Sequence, residues 1–584
     1  MKRISSKIVM HYVAAAGCAA PFLLAVSQAP SPTAFNQAMA WVGWGLILLT
    51  LPPALLRAGL YRSRSALIFL AVFSVLVLVS FVPRNIPADY SLATLGSLAG
   101  MAVVLCAGSA IASTGQWLQP LQTICRGLLL AGLLSAFVAV LQVYFPNWVD
   151  GTLFANSHVV GRATGNLRQP NHLAYLLIWS VVAVAVLVDS DALRRRWAIP
   201  LLFALTFALV LSASRTGLLC LTLLVVWTLF DRTLGRKSRS VVWALPIIFI
   251  TAWFLAGALA GKAGLELGAQ TRFVEGVGSP SRWLILRDTL QLILIHPWGV
   301  GWGEFNFAWT LTPMPGRSHY NIDNVHNLLL QWAVELGIPA AILLSGLAVW
   351  ALISAFGSPL NFKLNSSDAS QKRYVFLMVA LMVPPSLLEY PLWYAYFSFP
   401  TLFFLGICLG SSSSEIYSGA RGRIASLFFG VTMIVSGAVV FQDYLKAAQV
   451  FNAPTSGEWA PLKERIKIGR SSWFFSWAAN YAAATRLRSG DEALFAAEFA
   501  AHGLIDTLLL SAWAKSMHLS GDDERARFLA ERLAEFNDSR ADKLFEVCQN
   551  TTVEPRSFQC SASKKSLTFE DFRTGIESQQ SQSK

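Results

Sequence analysis

Most of the chain before residue 442 alternates long apolar runs with short polar connections. A helix needs about 20 apolar residues to cross roughly 30 Å of hydrocarbon, and many of these runs reach that length. Because lipid offers no partners for backbone amides, and the runs are too long for barrel strands, the spans are predicted to be helices. The pattern predicts thirteen spans, at 8–28, 36–56, 66–82, 91–112, 122–145, 171–189, 197–213, 216–230, 241–260, 327–354, 374–388, 393–410 and 424–441.

The composition supports this pattern. Of the 584 residues, 54% are hydrophobic and only 14% are charged, whereas soluble domains carry about 25% charged residues. The predicted fold class is therefore an all-α polytopic membrane protein with about 12–14 transmembrane helices.

Basic residues set the predicted orientation. With thirteen spans, the basic clusters all fall in connections on one side, which the positive-inside rule makes cytoplasmic. The clusters are Lys2 to Lys7, Arg57 to Arg64, Arg194 to Arg196, Arg232 to Arg239, Lys363 to Arg373, and Arg421 with Arg423. The N-terminus is then cytoplasmic and the C-terminus lies outside. Because the basic residues are scattered among short connections, the net charge of +13 does not predict a nucleic-acid partner.

The polar regions divide the chain into five predicted parts. They are nine helices in 1–260, a large outer loop in 261–326, four helices in 327–441, an outer helical domain in 442–565 and a disordered tail in 566–584. Within the outer domain, Ser489-Gly-Asp-Glu and Ser520-Gly-Asp-Asp recur and predict helix pairs like those of tetratricopeptide arrays, or else an ordinary small helical domain. Cys548 and Cys560 permit a disulfide in an oxidising compartment.

Arg215 is the first candidate functional residue. The segment from Trp197 to Phe230 is apolar apart from Ser212-Ala-Ser-Arg-Thr-Gly217, and both of its flanks are rich in arginine. One helix of that length would run roughly 50 Å, which is too long for one crossing. The segment is therefore predicted to be a hairpin with Arg215 near its outer tip. An arginine held there is costly, and an anionic ligand is the favoured explanation over a headgroup anchor.

Two outer loops supply further polar groups. Arg282 and Arg287 can join Arg215 in holding a phosphate, since planar guanidinium donors suit its oxygens. In the 146–170 loop and the start of the next span, Gln169, Asn171 and His172 are neutral groups suited to sugar hydroxyls. Arg168 adds a positive charge there, and Asn171 is also expected to cap the sixth span.

His326 is the candidate catalytic residue. Asp323 and Asn324 precede it and are expected to cap the tenth span, whose N-terminal partial charge disfavours the imidazolium. A neutral imidazole can act as a general base. Asn327, Gln331 and Glu335 follow at helical spacing and form a polar stripe, with Asn327 and Glu335 as substrate-binding candidates. No metal-ligand constellation occurs, so neither a metal nor another cofactor is expected.

These motifs resemble a known family. Arg282 through Phe305, with Arg-x-x-x-x-Arg and His-Pro-Trp-Gly-Val-Gly-Trp-Gly-x-Phe, followed by His326-Asn327 and Glu335-x-Gly337, is similar to the O-antigen ligase and polymerase superfamily. Three further segments resemble the bacterial protein O-oligosaccharyltransferases of the PglL type: Gly165-Asn-Leu-Arg-Gln-Pro-Asn-His172, Ser212-Ala-Ser-Arg-Thr-Gly217 and Glu389-Tyr-Pro-Leu-Trp-Tyr394. The resemblance covers most of residues 1–445 and implies a GT-C-like membrane fold.

The resemblance also implies an activity. It is the transfer of a preassembled glycan from undecaprenyl pyrophosphate to a serine or threonine of an exported protein, such as a pilin. His326 would be the catalytic histidine, and Arg215 and Arg282 would bind the pyrophosphate. The enzyme would need no metal, would invert the anomeric centre, and would lie in the bacterial inner membrane with its site on the periplasmic face. Its partners would be the lipid-linked glycan, the acceptor protein and membrane lipids.

Three other functions remain open from the sequence. An O-antigen ligase acting on lipid A core shares the same histidine and arginines, and a polysaccharide polymerase is the next alternative. A lipid-linked glycan transporter would also need arginines within the membrane, but it would normally show inverted repeats with broken helices, and the sequence shows none. The Gln-Pro-Asn-His segment and the helical outer domain favour a protein acceptor.

Overall fold

The computed structural model describes residues 6–52, 60–81, 86–270, 280–318, 321–357, 366–410, 420–452, 459–487, 490–549 and 557–573. Within these residues the secondary structure is helical, and no strand is present. The protein is an all-α polytopic membrane protein, as predicted. In the described part of the chain, eight helical segments are long and apolar enough to cross a membrane. They are Arg64–Phe81, Ala88–Ser113, Leu118–Tyr144, Pro170–Asp189, Arg195–Ser212, Arg236–Ala263, Ile338–Gly357 and Gly422–Ala448.

The apolar helices pack side by side around one large core of buried aliphatic and aromatic residues. The first ten helices are α1 (Ser6–Leu23), α2 (Ala34–Thr50), α3 (Arg64–Phe81), α4 (Ala88–Ser113), α5 (Leu118–Tyr144), α6 (Pro170–Asp189), α7 (Arg195–Ser212), α8 (Arg215–Phe230), α9 (Arg236–Val242) and α10 (Leu245–Ala263). Each of the thirteen predicted spans coincides with at least one helix. The predicted total of 12–14 transmembrane helices stays a prediction.

The predicted hairpin is present. Helix α7 ends at Ser212, Ala213 adopts a left-handed φ of 51°, and α8 begins at Arg215. The Ser214 side chain accepts a hydrogen bond from the Gly217 backbone N–H at 3.1 Å, which caps α8. The local sequence therefore turns the chain within two residues and places Arg215 in the first turn of α8.

The next helices are shorter and broken. They are α11 (Pro280–Ile295), α12 (Phe305–Leu311), α13 (Leu328–Leu336), α14 (Ile338–Gly357), α15 (Ser366–Ala380), α16 (Val383–Leu388), α17 (Ala395–Leu409) and α18 (Ala420–Ala448). The prediction of one continuous helix over 327–354 was wrong. Gly337, with a φ of 93°, separates α13 from α14, because its missing side chain lets the backbone of Pro297 and Trp298 pack against it.

A second core joins the outer loop to the C-terminal region. The last helices are α19 (Leu462–Arg470), α20 (Ser476–Arg486), α21 (Asp491–Ala501), α22 (Thr507–Leu519), α23 (Asp523–Glu535) and α24 (Asp542–Phe545). They pack in consecutive pairs, and the turn at 520–522 separates the members of one pair, α22 and α23. Buried residues of the 285–334 region share one apolar core with these helices.

The C-terminal end corrects one prediction. Residues 566–573 were assigned to a disordered tail, but Phe569–Phe572 form a short 3-10 helix whose two phenylalanines are buried in the second core. The prediction followed the Ser/Gln-rich composition of the tail and did not take account of these two large apolar side chains, which the outer domain buries. Cys548 and Cys560 form the disulfide that the sequence permitted. Residues 574–584 lie outside the described residues.

Candidate active site

His326, Glu389 and Arg282 meet where the outer loop returns to the helical bundle. The Nδ1 atom of His326 lies 2.8 Å from Oε2 of Glu389, and the Arg282 guanidinium donates to Oε1 of the same carboxylate at 2.6 Å. Glu389 is nearly buried, with 7% of its side chain exposed, whereas His326 and Arg282 are 31% and 52% exposed. One buried carboxylate thus holds an imidazole and a guanidinium side by side at an open face.

Short-range hydrogen bonds set the position of His326. Its backbone N–H donates to the Asn324 side chain at 3.0 Å, and the preceding Val325 N–H donates to Gln331 at 2.8 Å. These bonds hold His326 at a left-handed φ of 56°, a conformation that non-glycine residues seldom adopt. Such strain persists only where the surroundings fix it, and it is common at functional sites.

Two predicted caps proved wrong. Asn327, rather than Asp323 or Asn324, caps α13, since its side-chain oxygen accepts from the N–H groups of Leu329 and Leu330. Gln169, rather than Asn171, caps α6 and accepts from the N–H groups of residues 171 and 172. Both α13 and α6 start one residue away from the predicted point, and the cap falls to the side chain whose reach matches the first turn.

The electrostatics favour an ionised Glu389. Burial by itself would raise the pKa of this carboxyl, but the hydrogen bond and charge of His326, together with the charge of Arg282, outweigh burial and lower the pKa below its usual value. The carboxylate therefore accepts hydrogen bonds at both oxygens. It fixes the His326 ring with Nδ1 facing Glu389 and Nε2 turned away from it.

The cluster extends to the hairpin. Asn171 donates to Oε1 of Glu389 at 2.9 Å and accepts a hydrogen bond from the Ser214 hydroxyl at 2.7 Å. Arg215 follows Ser214 directly in the chain and is half-buried. The start of α8 is thus tied through one asparagine to the carboxylate that holds His326. Three segments that are far apart in sequence converge on Glu389.

The structure places the other candidates away from this carboxylate. The Arg168 guanidinium binds backbone carbonyl oxygens of Ala25 and Pro32 between α1 and α2. Arg287 pairs with Asp288 at 2.6 Å and donates to the Gly316 carbonyl oxygen. The Asn327 side chain, besides capping α13, donates to the Leu387 carbonyl oxygen at 3.0 Å. These groups are engaged by the protein itself.

Two further candidates are buried. His172 is 5% exposed and lies 3.2 Å from the Tyr396 hydroxyl. Glu335 is 1% exposed, and its carboxyl oxygen accepts from the Phe305 N–H at 3.4 Å. Both residues face the interior, where they support the loops around the site.

Glu389 was not among the sequence candidates. It lies 63 positions after His326 in a short connection, Glu389-Tyr-Pro-Leu-Trp-Tyr394, that was noted only for its resemblance. The available signal was a lone carboxylate between apolar segments at the level of the outer loops. Such a charge next to lipid needs a partner, and His326 and Arg282 are the partners.

The arrangement has a definite chemical capacity. A carboxylate-oriented imidazole can accept a proton at Nε2 and hold the resulting charge near Glu389. The exposed part of Arg282 leaves N–H groups free of Glu389 to contact an anionic ligand. Membrane helices converge here with an open polar face, so the class of protein is a multi-pass membrane protein with a histidine–carboxylate–arginine site.

Comparisons with known proteins agree with this class. The O-antigen ligase family model matches residues 200–345, and a model described as the C-terminal part of a virulence factor membrane-bound polymerase matches residues 374–546. The first match includes Arg215, Arg282 and His326, and the second begins before Glu389. Residues 200–345 are therefore similar to the O-antigen ligase family, and the resemblance found in the sequence is confirmed.

Two curated relatives come from Acinetobacter baylyi. A general O-oligosaccharyltransferase is 26% identical over 387 residues, which are 63% of this chain and 65% of the relative. A ComP-specific O-oligosaccharyltransferase is 26% identical over 283 residues, which are 48% of this chain and 50% of the relative. The first match thus spans slightly less than two thirds of that relative's length, and the second spans half of the other's.

Proposed function

We propose that this protein transfers a preassembled glycan from undecaprenyl pyrophosphate to a serine or threonine hydroxyl of an exported protein such as a pilin. The observation that carries the proposal is the sharing of one buried carboxylate by His326 and Arg282. A proton acceptor and a cation for a leaving phosphate therefore lie next to each other. The names of the two relatives support a glycan-transfer reaction.

The reaction follows from the roles of these groups. The acceptor oxygen attacks the anomeric carbon while its proton passes to Nε2 of His326. The bond between the anomeric carbon and the pyrophosphate oxygen breaks, and undecaprenyl pyrophosphate leaves with the electron pair. Arg282 and Arg215 stabilise the charge that develops on the leaving group, which is the largest electrostatic demand of the step.

Glu389 takes a supporting role in this scheme. Both of its oxygens are occupied, one by His326 and the other by Arg282 and Asn171, so it orients the base and does not attack the sugar. A single displacement without a covalent glycosyl intermediate inverts the anomeric centre. No step of this scheme requires a metal ion.

The proposed location is the bacterial inner membrane with the site on the periplasmic face. The basic clusters in the opposite connections support this orientation through the positive-inside rule. The Cys548–Cys560 disulfide supports it independently, since disulfides persist in oxidising compartments. The outer domain and the C-terminus would then be periplasmic.

The match to the O-antigen ligase model favours a second candidate, transfer of the glycan to lipid A core sugar. One experiment separates the two. The chain is co-expressed with a lipid-linked glycan pathway and with candidate pilin and lipid A acceptors, and mass spectrometry identifies which acceptor gains sugar. Glycan on a protein hydroxyl is the expected result. Glycan on lipid A core alone would replace the first proposal with the second.

A further inference from the structure

A row of aromatic rings runs away from His326 along the open face of the site. The Tyr390 ring lies 5.2 Å from the His326 ring, centroid to centroid. Trp393 follows at 5.5 Å from Tyr390, and Tyr90 of α4 follows at 6.4 Å from Trp393. The proposed role of His326 as a general base does not require these three rings.

The rings are firmly placed but not covered. The Tyr90 ring lies on the backbone of Gly303, where an added Cβ atom would come within 2.4 Å of the ring, and Tyr90 keeps 37% of its surface exposed. Trp302, which is 4% exposed, packs behind Tyr90 and Trp393 at 6.3 and 6.4 Å. Tyr390 and Trp393 are half-buried. The row therefore presents supported aromatic surface that the described residues leave partly uncovered.

A carboxylate lies beside the row. Asp323 is exposed and accepts a hydrogen bond from the Asn324 side chain at 2.6 Å. Asn324 in turn accepts a hydrogen bond from the backbone N–H of His326, whose ring contacts Tyr390, so Asp323 lies near the start of the row. An aromatic face next to a hydrogen-bond acceptor suits a pyranose, whose C–H groups cover one face while its hydroxyls point outward at the edge.

We infer that Tyr390, Trp393 and Tyr90, with Asp323 at the edge, form a glycan subsite for successive pyranose rings of the donor. The first sugar lies over Tyr390 with its anomeric carbon beside His326, the second lies over Trp393, and the third lies over Tyr90. This inference rests on the proposed function, since it assigns the position of the glycan that is transferred. The subsite then distinguishes donor glycans by their length and ring chemistry next to His326.

A membrane-interface role for these rings is the competing explanation, because tyrosine and tryptophan are enriched at bilayer surfaces. An exposed carboxylate beside the rings argues against lipid contact. So does the continuity of the row with His326, since an interfacial ring gains nothing from lying against the proposed base. The competing explanation becomes one outcome of the experiment below.

The test uses the full chain in nanodiscs with synthetic undecaprenyl-pyrophosphate donors that carry one, two or three sugars. Trp393→Ala is expected to lower kcat/KM about tenfold for donors of two or three sugars, an effect of the size of one stacked aromatic contact. It should leave the one-sugar donor within about twofold of wild type. Tyr90→Ala should weaken only the three-sugar donor. Trp148→Ala, an exposed tryptophan in another loop, is the matched control and should change none of the three.

Binding is measured separately, so that the subsite can be tested without turnover. Saturation-transfer NMR with the free trisaccharide should show contact with wild type and with His326→Ala, and should lose it in the Trp393→Ala and Tyr90→Ala double variant. Absence of contact with wild type, or an equal loss of activity on all three donors, would overturn the subsite and favour a structural or interfacial role. Trisaccharide contact without any transfer would instead count against the proposed function.

Discussion

Two clusters of described residues each bring a histidine, a glutamate and an arginine together, and they differ in burial. In the first, Glu389 holds His326 and Arg282 at the open face of the bundle. In the second, Nδ1 of His502 lies 2.9 Å from both oxygens of Glu304, and the Arg573 guanidinium lies 3.9 Å from the same carboxylate. His502, Glu304 and Arg573 are 3%, 0% and 9% exposed.

The difference in exposure distinguishes the candidate active site from a contact that is structural. The second cluster joins α21 and the C-terminal 3-10 helix to the turn that precedes α12, and Phe307 stacks on the His502 ring at 4.5 Å. Because its members are buried, this cluster holds the outer domain against the turn that precedes α12. The first cluster leaves one imidazole nitrogen and part of one guanidinium accessible. Similar residue types are therefore accessible to a ligand in the first cluster and enclosed by the protein in the second.

His326→Ala should give the largest effect on activity. Loss of a general base lowers the rate by about 10²- to 10⁴-fold, while the half-exposed position makes the change tolerable for folding. Glycan transfer is measured by mass spectrometry of the acceptor, and thermal unfolding in detergent checks the fold. His502→Ala is the matched control, with a lowered unfolding temperature but activity retained by the folded fraction. Near-wild-type transfer by His326→Ala would remove the catalytic assignment.

Glu304→Ala should give the largest effect on stability. Removing one member of a buried charged cluster costs about 3–5 kcal/mol, because the remaining partners lose their compensation. Denaturant titration in detergent measures the change, and limited proteolysis should show earlier cleavage of the outer domain. Glu304→Gln should lose less stability than Glu304→Ala, since its amide oxygen still accepts a hydrogen bond. Equal stability of Glu304→Ala and wild type would place the docking of the outer domain elsewhere.

Glu389→Gln should lower transfer by about 10- to 100-fold, the usual effect of removing a group that orients a functional residue. The amide keeps a hydrogen-bond acceptor for Arg282 or Asn171 but not the charge that stabilises a protonated His326. Acceptor KM should change less than kcat, because the substitution alters the base rather than the binding surface. A change confined to KM would assign Glu389 to substrate binding.

The same carboxylate predicts a pH dependence of stability. The pKa of Glu389 in the folded protein lies below its usual value of 4.5, so its ionised form stabilises the fold above that pH. The contribution is lost as the pH falls through the lower, folded-state pKa. Thermal unfolding measured from neutral to acidic pH should show this loss in wild type and not in Glu389→Gln. Parallel curves for the two proteins would contradict the ion-pair interpretation.

A third histidine–carboxylate pair should give the smallest effect. His518 lies 2.6 Å from Asp523 at the surface of the outer domain, with 44% and 47% of the two side chains exposed. Exposed pairs contribute about 0–1 kcal/mol, so His518→Ala should change neither activity nor stability measurably. Unfolding and transfer are compared with wild type in the same preparation. A strong loss of transfer would point to acceptor contact at this surface.

Much of the helical architecture could be predicted from the sequence because it depends on short-range patterns. The spans follow from runs of apolar residues, and the turn before Arg215 follows from the length of the apolar segment around it. The paired helices of the outer domain follow from two similar turns. The prediction of one helix over 327–354 failed because of a contact from elsewhere in the chain, since Pro297 and Trp298 pack on Gly337 and interrupt it.

The candidate site also consists of residues that the sequence indicated and of contacts that only the fold determines. The sequence by itself singled out His326, Arg282 and Arg215, since polar groups beside apolar spans are costly and conspicuous; their roles stay predictions. Only the tertiary structure brought Glu389 to His326 and turned Arg168 towards backbone carbonyls, because the fold, not the local sequence, decides which side chains meet. It also decided that the second His–Glu–Arg cluster is closed to solvent. Residue types set the available chemistry, and packing determines which of them reach a substrate.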